Sequence, residues 1–232
     1  MAVKKAAAGK SVKRPGNRDL APDRVEAILK GLDEAYPAVE CALIHSSPWE
    51  LLVATILSAQ CTDVRVNMVT PPLFKRFPTP EALAQATSPQ LEDLIRTTGF
   101  FRNKAKSIKG AAQKIVTEFK GEVPQTLAEL ITIPGAARKT ANVVLGVSFK
   151  KAEGIVVDTH VFRIARRLGL AKGDAAEKVE QELMKIIPPS RWIDFSHQII
   201  HHGRQVCIAR KPKCDRCNLE QICHSKDKTW QS

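Results

Sequence analysis

Serine or threonine followed by proline, repeated through the first half of the chain, is the feature that most constrains its fold. The pairs are Ser47-Pro48, Thr70-Pro71, Thr79-Pro80 and Ser88-Pro89. Serine and threonine cap the N-termini of helices, and proline is tolerated at the first helical position because no N–H is needed there. Each pair therefore predicts the start of a helix.

Apolar residues between these signals recur at intervals of three and four, as in Val25, Ile28, Leu29 and Leu32. This spacing is typical of helices that bury one face. Residues 49–57 are apolar nearly all round, which predicts a central, buried helix. The one strand-like run, at 155–157, is too short to build a sheet. We therefore predict an all-α fold.

Breaks in these patterns predict the domain organisation. A Pro- and Ser-containing connector follows the first helix, and a polar Lys150–Gly154 segment follows a later one. We expect a central helical domain over residues 45–152. The second domain would combine residues 21–44 with 153–225, leaving a cleft between the two domains. Residues 1–20 are basic and rich in Ala and Gly, which predicts a disordered tail that either adds affinity for a polyanion or is only solvated.

The charge balance predicts a polyanionic partner. The 232 residues carry a net charge of +12, which does not separate DNA from RNA or an anionic membrane surface. No apolar run reaches the roughly 18 residues that a membrane span requires, and the N-terminus has no apolar signal-peptide core. We expect no membrane association.

Residues 127–149 predict two helices joined by a tight turn. A short apolar helix ends at Ile133, Pro134-Gly135 forms the turn, and a second helix follows at once. Such a turn points the first N–H groups of the second helix outward, which suits a phosphate. Gly135 lets the backbone approach its ligand closely. The pattern resembles a helix-hairpin-helix, a motif that binds the DNA backbone.

Four of the six cysteines fall within seventeen residues, at Cys207, Cys214, Cys217 and Cys223. In a chain without a secretion signal, this clustering predicts a metal site in a reducing cytoplasm rather than disulfides. Four thiolates suit either zinc or an iron–sulfur cluster, and the chemistry alone leaves both open. Cys41 and Cys61 are expected to be ordinary buried thiols.

Three motifs occur in one order: the hairpin with Arg-Lys-Thr-Ala-Asn-Val-Val-Leu, the run Val157 to Arg163, and the spaced cysteines. Together with Leu57-Ser58-Ala59-Gln60, Thr62-Asp63 and Gly203-Arg204, they resemble the endonuclease III family over about residues 22–225. The resemblance implies a bifunctional DNA glycosylase and AP lyase of base-excision repair. Such an enzyme removes oxidised pyrimidines from duplex DNA and cleaves 3′ to the abasic site by β-elimination.

The resemblance also assigns the reacting residues and the cofactor. Lys139 becomes the nucleophile that forms a Schiff base with the sugar. Asp158 becomes the catalytic carboxylate that stabilises positive charge on the sugar and helps to move protons, while its position also predicts a helix cap. For the four cysteines, the resemblance implies a [4Fe-4S] cluster.

Expected DNA contacts follow from the same resemblance. Gln60 would fill the space left by a flipped base and Phe100 would act as a wedge, although the family often has leucine there and Phe100 could instead be a core aromatic. The remaining expected contacts are Gly135, Ala137, Arg138, Arg210, Lys211, Lys213 and Arg216. Ala137 stands where the family commonly has a second glycine, so we expect a negative φ at this residue.

Two other functions fit parts of the sequence. One is a related adenine-type monofunctional glycosylase, which normally lacks the lysine found here at Lys139. The other is a non-catalytic helix-hairpin-helix DNA-binding protein, against which both Lys139 and Asp158 argue. The preferred prediction is a monomer that acts on double-stranded DNA in the cytoplasm, associated with the nucleoid.

Overall fold

A computed structural model describes residues 20–230 of the protein. The predicted basic tail therefore lies almost wholly outside the described residues. Within them the protein is helical and contains no strand, so the all-α prediction is confirmed. The α-helices are α1 (Pro22–Ala35), α2 (Pro48–Leu57), α3 (Asp63–Arg76), α4 (Pro80–Gln85), α5 (Ser88–Ile95), α6 (Phe101–Phe119), α7 (Leu127–Leu130), α8 (Arg138–Phe149), α9 (Thr159–Arg167), α10 (Ala176–Met184) and α11 (Trp192–Gln205).

Short 3₁₀ turns complete the described structure. They lie at Arg96–Thr98, Pro189–Arg191, Cys214–Arg216 and Glu220–Ile222. Between residues 20 and 230, no helix is long and apolar enough to cross a membrane.

The helices surround two separate hydrophobic cores. The first core draws on residues between Leu43 and Leu145, which belong to α2 through α8 and their connections. The second combines α1 with residues from Ile155 to Leu219, and so joins the first helix to the last ones. Eight of the ten residues of α2 are buried, as its apolar sequence predicts. Residues that are distant in sequence, on α8 and α9, can therefore face each other where the two cores meet.

Three of the four serine- or threonine-proline pairs lie at helix starts. The side chains of Ser47 and Thr79 accept hydrogen bonds from the first turns of α2 and α4. Thr87 caps α5, one residue before the predicted Ser88, and forms a capping box with Gln90. The local signals thus fix these starts to within one residue.

The prediction from Thr70-Pro71 is wrong, because both residues lie inside α3. A proline inside a helix removes one backbone hydrogen bond and crowds the carbonyl four residues earlier. α3 nevertheless continues, since Val66, Thr70 and Leu73 are buried on one face while Pro71 lies on the exposed face. Burial of that face outweighs the local stop signal.

Candidate active site and cysteine loop

The hairpin turn is longer than the sequence predicted. α7 ends at Leu130 rather than Ile133, and residues 131–137 connect it to α8. Gly135 has a φ of +82°. A Cβ at this position would lie 2.9 Å from the Cβ of Ser107 on α6. Both the backbone conformation and the contact with α6 therefore favour glycine here.

Ala137 is the N-cap residue of α8 and has a φ of −70° and a ψ of 169°. The expected negative φ is confirmed, so alanine replaces the family's glycine without backbone strain. No side chain caps this end of the helix. Its first N–H groups, at the positive end of the helix dipole, are therefore available to an anion.

Lys139 and Asp158 line one cavity of about 120 Å³. Lys139 lies in the first turn of α8, and Asp158 directly precedes α9, so each of the two cores supplies one of them. Lys139 is exposed and Asp158 is half-buried. The structure thus brings together the two residues that the family resemblance identified as catalytic. Further residues that line the cavity include Cys41, Thr55, Ser58, Asp63, His197, His201 and Arg204.

Asp158 is held by the start of α9. Its Oδ1 accepts hydrogen bonds from the backbone N–H groups of His160 and Val161, both at 2.8 Å. The predicted helix cap is therefore confirmed. Within residues 20–230, Oδ2 makes no hydrogen bond to the protein, so one oxygen fixes the side chain while the other is not engaged. Burial lowers the pKa of neighbouring His160, and the negative charge of Asp158 opposes this effect.

Asp63 and Arg204 form an ion pair beside the cavity. The pair connects α3 to α11 across 141 positions of the sequence. In the sequence, both residues belong to motifs that resemble the family, Thr62-Asp63 and Gly203-Arg204, and neither has an assigned role. These motifs could have indicated that the two residues are functional. Their spacing in the sequence, however, could not show that they form an ion pair. His197 also lines this cavity, and burial lowers its pKa.

Arg138 has a partner inside the protein. Its guanidinium donates two hydrogen bonds to the carboxylate of Glu180 on α10, at 3.0 and 3.2 Å. Asn142, one turn further along α8, donates a third at 3.1 Å. Hydrogen bonding to Glu180 raises the pKa of Arg138. This pairing joins the two cores directly beside Lys139, while the predicted DNA contact of Arg138 stays a prediction.

Gln60 and Phe100 lie on two exposed loops and share an uncommon conformation. Their φ angles are 52° and 47°, in the left-handed region that side chains other than glycine rarely adopt. Phe100 is 66% exposed, so it is not a core aromatic. Both residues are available at the surface, as their expected DNA contacts require.

The four clustered cysteines line one small cavity of about 30 Å³. The Arg167 guanidinium lies 3.4 Å from the Cys207 sulfur, and the Thr229 N–H lies 3.5 Å from the Cys214 sulfur. Such donors suit thiolates. Burial raises the pKa of Cys217 to about 11.

The four cysteines are the candidate metal ligands of this loop, since all four line its cavity. Among residues 20–230, no group of three or more His, Cys, Asp or Glu side chains is arranged to hold a single metal ion. Four thiols around a shared cavity are a ligand set that zinc and iron–sulfur clusters both use. The four basic residues predicted to contact phosphates are all exposed near this loop: Arg210, Lys211, Lys213 and Arg216.

Cys41 and Cys61 lie outside this cavity. Both are only partly buried against the first core, where ordinary buried thiols were expected. Cys41 also lines the cavity that holds Lys139 and Asp158. Burial raises the pKa of Cys41.

Comparisons with known proteins agree on one family. Residues 53–189 match the HhH-GPD superfamily of base excision DNA repair proteins. An endonuclease III from Synechocystis is 55% identical over 202 residues, which cover 87% of this chain and 92% of that protein. A solved non-covalent endonuclease III–DNA complex has a TM-score of 0.84 and 40% identity, over 88% of this chain and 96% of the other. A trapped endonuclease III–DNA covalent intermediate has the same TM-score and coverage, with 41% identity.

Proposed function

Because this chain belongs to the endonuclease III family of HhH-GPD base-excision repair proteins, we propose that it is a bifunctional DNA glycosylase and AP lyase. The observation that carries this proposal is that Lys139 and Asp158, supplied by different cores, line one cavity. The proposed substrate is duplex DNA that contains an oxidised pyrimidine.

The proposed reaction begins with the Lys139 amine in its neutral form. Its nitrogen attacks C1′ of the sugar and the bond to the damaged base breaks, so that the base leaves with the bonding electron pair and is then protonated. Loss of a proton from nitrogen and opening of the sugar ring give a Schiff base. The imine acidifies the C2′ proton, and removal of this proton expels the 3′ phosphate by β-elimination. A solved covalent complex of a similar protein supports such an intermediate.

In this scheme Asp158 would stabilise positive charge on the sugar and transfer protons to or from Lys139. Two backbone hydrogen bonds fix its carboxylate at the start of α9. A fixed negative charge beside the cavity stabilises positive charge that develops on the sugar as the base departs. The same carboxylate can accept a proton from the Lys139 amine or return one.

Binding to the duplex would use the hairpin and the exposed basic residues. The uncapped start of α8, after Gly135 and Ala137, suits a backbone phosphate. Gln60 and Phe100 would occupy the space that the flipped nucleotide leaves in the stack. We further propose that the two cores correspond to the two predicted domains, and that the protein acts as a monomer in the cytoplasm, close to the nucleoid.

We also propose that the cysteine loop carries a [4Fe-4S] cluster. Cys207, Cys214, Cys217 and Cys223 would hold it: they line one cavity, and membership of the endonuclease III family favours the cluster over a single zinc ion. When bound, the cluster would rigidify a loop that presents basic side chains to phosphates. We expect purified protein to be yellow-brown and to contain about four irons per chain. Colourless protein with stoichiometric zinc would overturn the assignment.

Borohydride trapping on abasic DNA tests the proposed reaction directly. Reduction of the Schiff base links enzyme and DNA covalently, so Lys139→Gln should abolish the adduct while folding and DNA binding persist. Lys75→Gln is a matched control, since it removes one positive charge from an exposed part of α3 and should trap normally. Undiminished trapping by Lys139→Gln would remove this residue from the mechanism. The monofunctional and non-catalytic alternatives both predict no adduct from the unaltered protein.

A further inference from the structure

The loop that carries Phe100 is held in an unfavourable backbone conformation. Gly99 has φ 71° and ψ 152°, a combination that is essentially restricted to glycine. Phe100 follows with φ 47° and ψ 29°, in the left-handed region that residues other than glycine rarely adopt. Such conformations persist only where the surrounding structure holds them. Here they direct a large aromatic side chain into solvent, 66% exposed.

Lys104 donates hydrogen bonds to this loop on both sides of Gly99. Its ammonium donates to the carbonyl of Thr98 at 2.7 Å, and its backbone N–H donates to the carbonyl of Phe100 at 3.0 Å. Thr98 is itself fixed, because it is 2% exposed and its hydroxyl donates to the carbonyl of Ile95. The side chain of Lys104 thus connects the first turn of α6 to the end of the preceding 3₁₀ turn.

The burial of this lysine is unusual. Lysine normally keeps its ammonium in water, yet Lys104 is 6% exposed. No carboxylate in the part of the chain that the structure describes forms an ion pair with it. Burial lowers its pKa, while the thiol of Cys61, next to Gln60, opposes this effect. An apolar side chain would fill the same space without desolvating a charge, so packing alone does not account for the residue.

We propose that Lys104 is a positioning residue that holds the loop from Thr98 to Phe100 in the conformation needed for base flipping. The inference rests on the proposed role of Phe100 as a wedge. It identifies Lys104 as the residue that keeps the Phe100 side chain exposed before DNA binds. Because the loop already has this conformation without DNA, it loses little conformational entropy when DNA binds. More of the free energy gained when Phe100 fills the space left by the flipped base then contributes to binding.

The test compares two substrates with Lys104→Met, which keeps the length of the stem and removes the amine. On a duplex with one oxidised pyrimidine, single-turnover base excision should fall about tenfold or more. β-Elimination at an abasic site in single-stranded DNA should change by less than about twofold, because no stack must be opened there. Lys106→Met is the matched control, since it removes the same charge from an exposed position on the same helix. Equal losses on both substrates, or none on the duplex, would overturn the proposal.

A double-mutant cycle with Phe100→Ala separates positioning from general stability. If Lys104 acts through the wedge, Lys104→Met should cost less than about twofold once Phe100 is already alanine. Fully multiplicative losses would overturn the proposal. An unchanged duplex rate for Phe100→Ala alone would instead overturn the wedge assignment on which the inference rests, so the two failures are distinguishable.

Gly99→Ala provides the same test should Lys104→Met fail to fold. A Cβ at Gly99 would have no atom within 4 Å, so this change acts on the backbone conformation and not through a clash. We expect it to reproduce the pattern of Lys104→Met, with slower excision from duplex DNA and unchanged β-elimination on the single strand. Normal duplex excision by Gly99→Ala would show that the loop conformation is dispensable.

Discussion

Asp158 uses its two carboxylate oxygens differently. Oδ1 accepts both hydrogen bonds from the start of α9, while Oδ2 has no such partner within the described range. A helix cap requires only an oxygen acceptor, whereas stabilisation of a developing cation requires the negative charge. The structural and chemical contributions of this residue can therefore be separated by changing the charge alone.

Asp158→Asn retains an oxygen acceptor and removes the charge. We expect near-native stability, with base excision slower by at least about tenfold, or about 1.4 kcal/mol in the barrier. Single-turnover kinetics and thermal unfolding provide the two measurements. Asp158→Ala is the contrast, because it should also lose about 1 kcal/mol of stability with the cap. Full activity in Asp158→Asn would leave this residue with a capping role alone.

Ala137 allows a test of what the hairpin recognises. Its negative φ means that glycine offers no relief of strain there, so Ala137→Gly changes little except the loss of one methyl group beside the expected phosphate. Phosphate contacts position a protein without reading bases. We expect modestly tighter binding to damaged and undamaged duplexes alike, measured by titration at fixed salt. A changed lesion preference would show that this turn reads more than phosphate.

At the scale of elements, the sequence predicts helices better than it predicts their partners. Apolar spacing and capping residues are local, and they identified α1, α2 and the two helices of the hairpin. The prolines of α3 were misread because burial of Leu73 and its neighbours depends on helices elsewhere in the chain. Glu180 and Lys104 were not identified, since a buried charge becomes evident only when its distant or backbone partner is known.

Glu180 joins α10 to α8 and can be tested as a bridge between the two cores. Glu180→Gln keeps the shape of the side chain but leaves Arg138 and Asn142 without a charged acceptor. Since Glu180 is 8% exposed on its side chain, we expect the free energy of unfolding to fall by about 1–3 kcal/mol. Chemical denaturation measures this, with exposed Glu177→Gln on the same helix as the control. Equal free energies of unfolding for the two variants would show that the hydrogen bonds of Glu180 to Arg138 and Asn142 do not stabilise the protein.

For the whole molecule, a net charge of +12 predicts DNA binding that weakens steeply with salt. The exposed basic residues of the cysteine loop should provide part of this dependence. If Lys213 contacts a phosphate, Lys213→Gln should make the slope of log K against log salt less steep by about one. Binding isotherms at several salt concentrations measure the slope, and Lys75→Gln on the exposed part of α3 should leave it unchanged. An unaltered slope for Lys213→Gln would remove it from the DNA interface.

The second core has a consequence for the order in which the chain can fold during synthesis. Arg24 in α1 is fully buried and donates a hydrogen bond to the carbonyl of Ile222, 198 positions later. At about 5–20 residues per second, α1 leaves the ribosome roughly 10–40 seconds before Ile222 does. The first core, contiguous from Leu43 to Leu145, can close in that interval. The apolar face of α1 must meanwhile remain uncovered, so the earliest helix to be made is among the last to be completed.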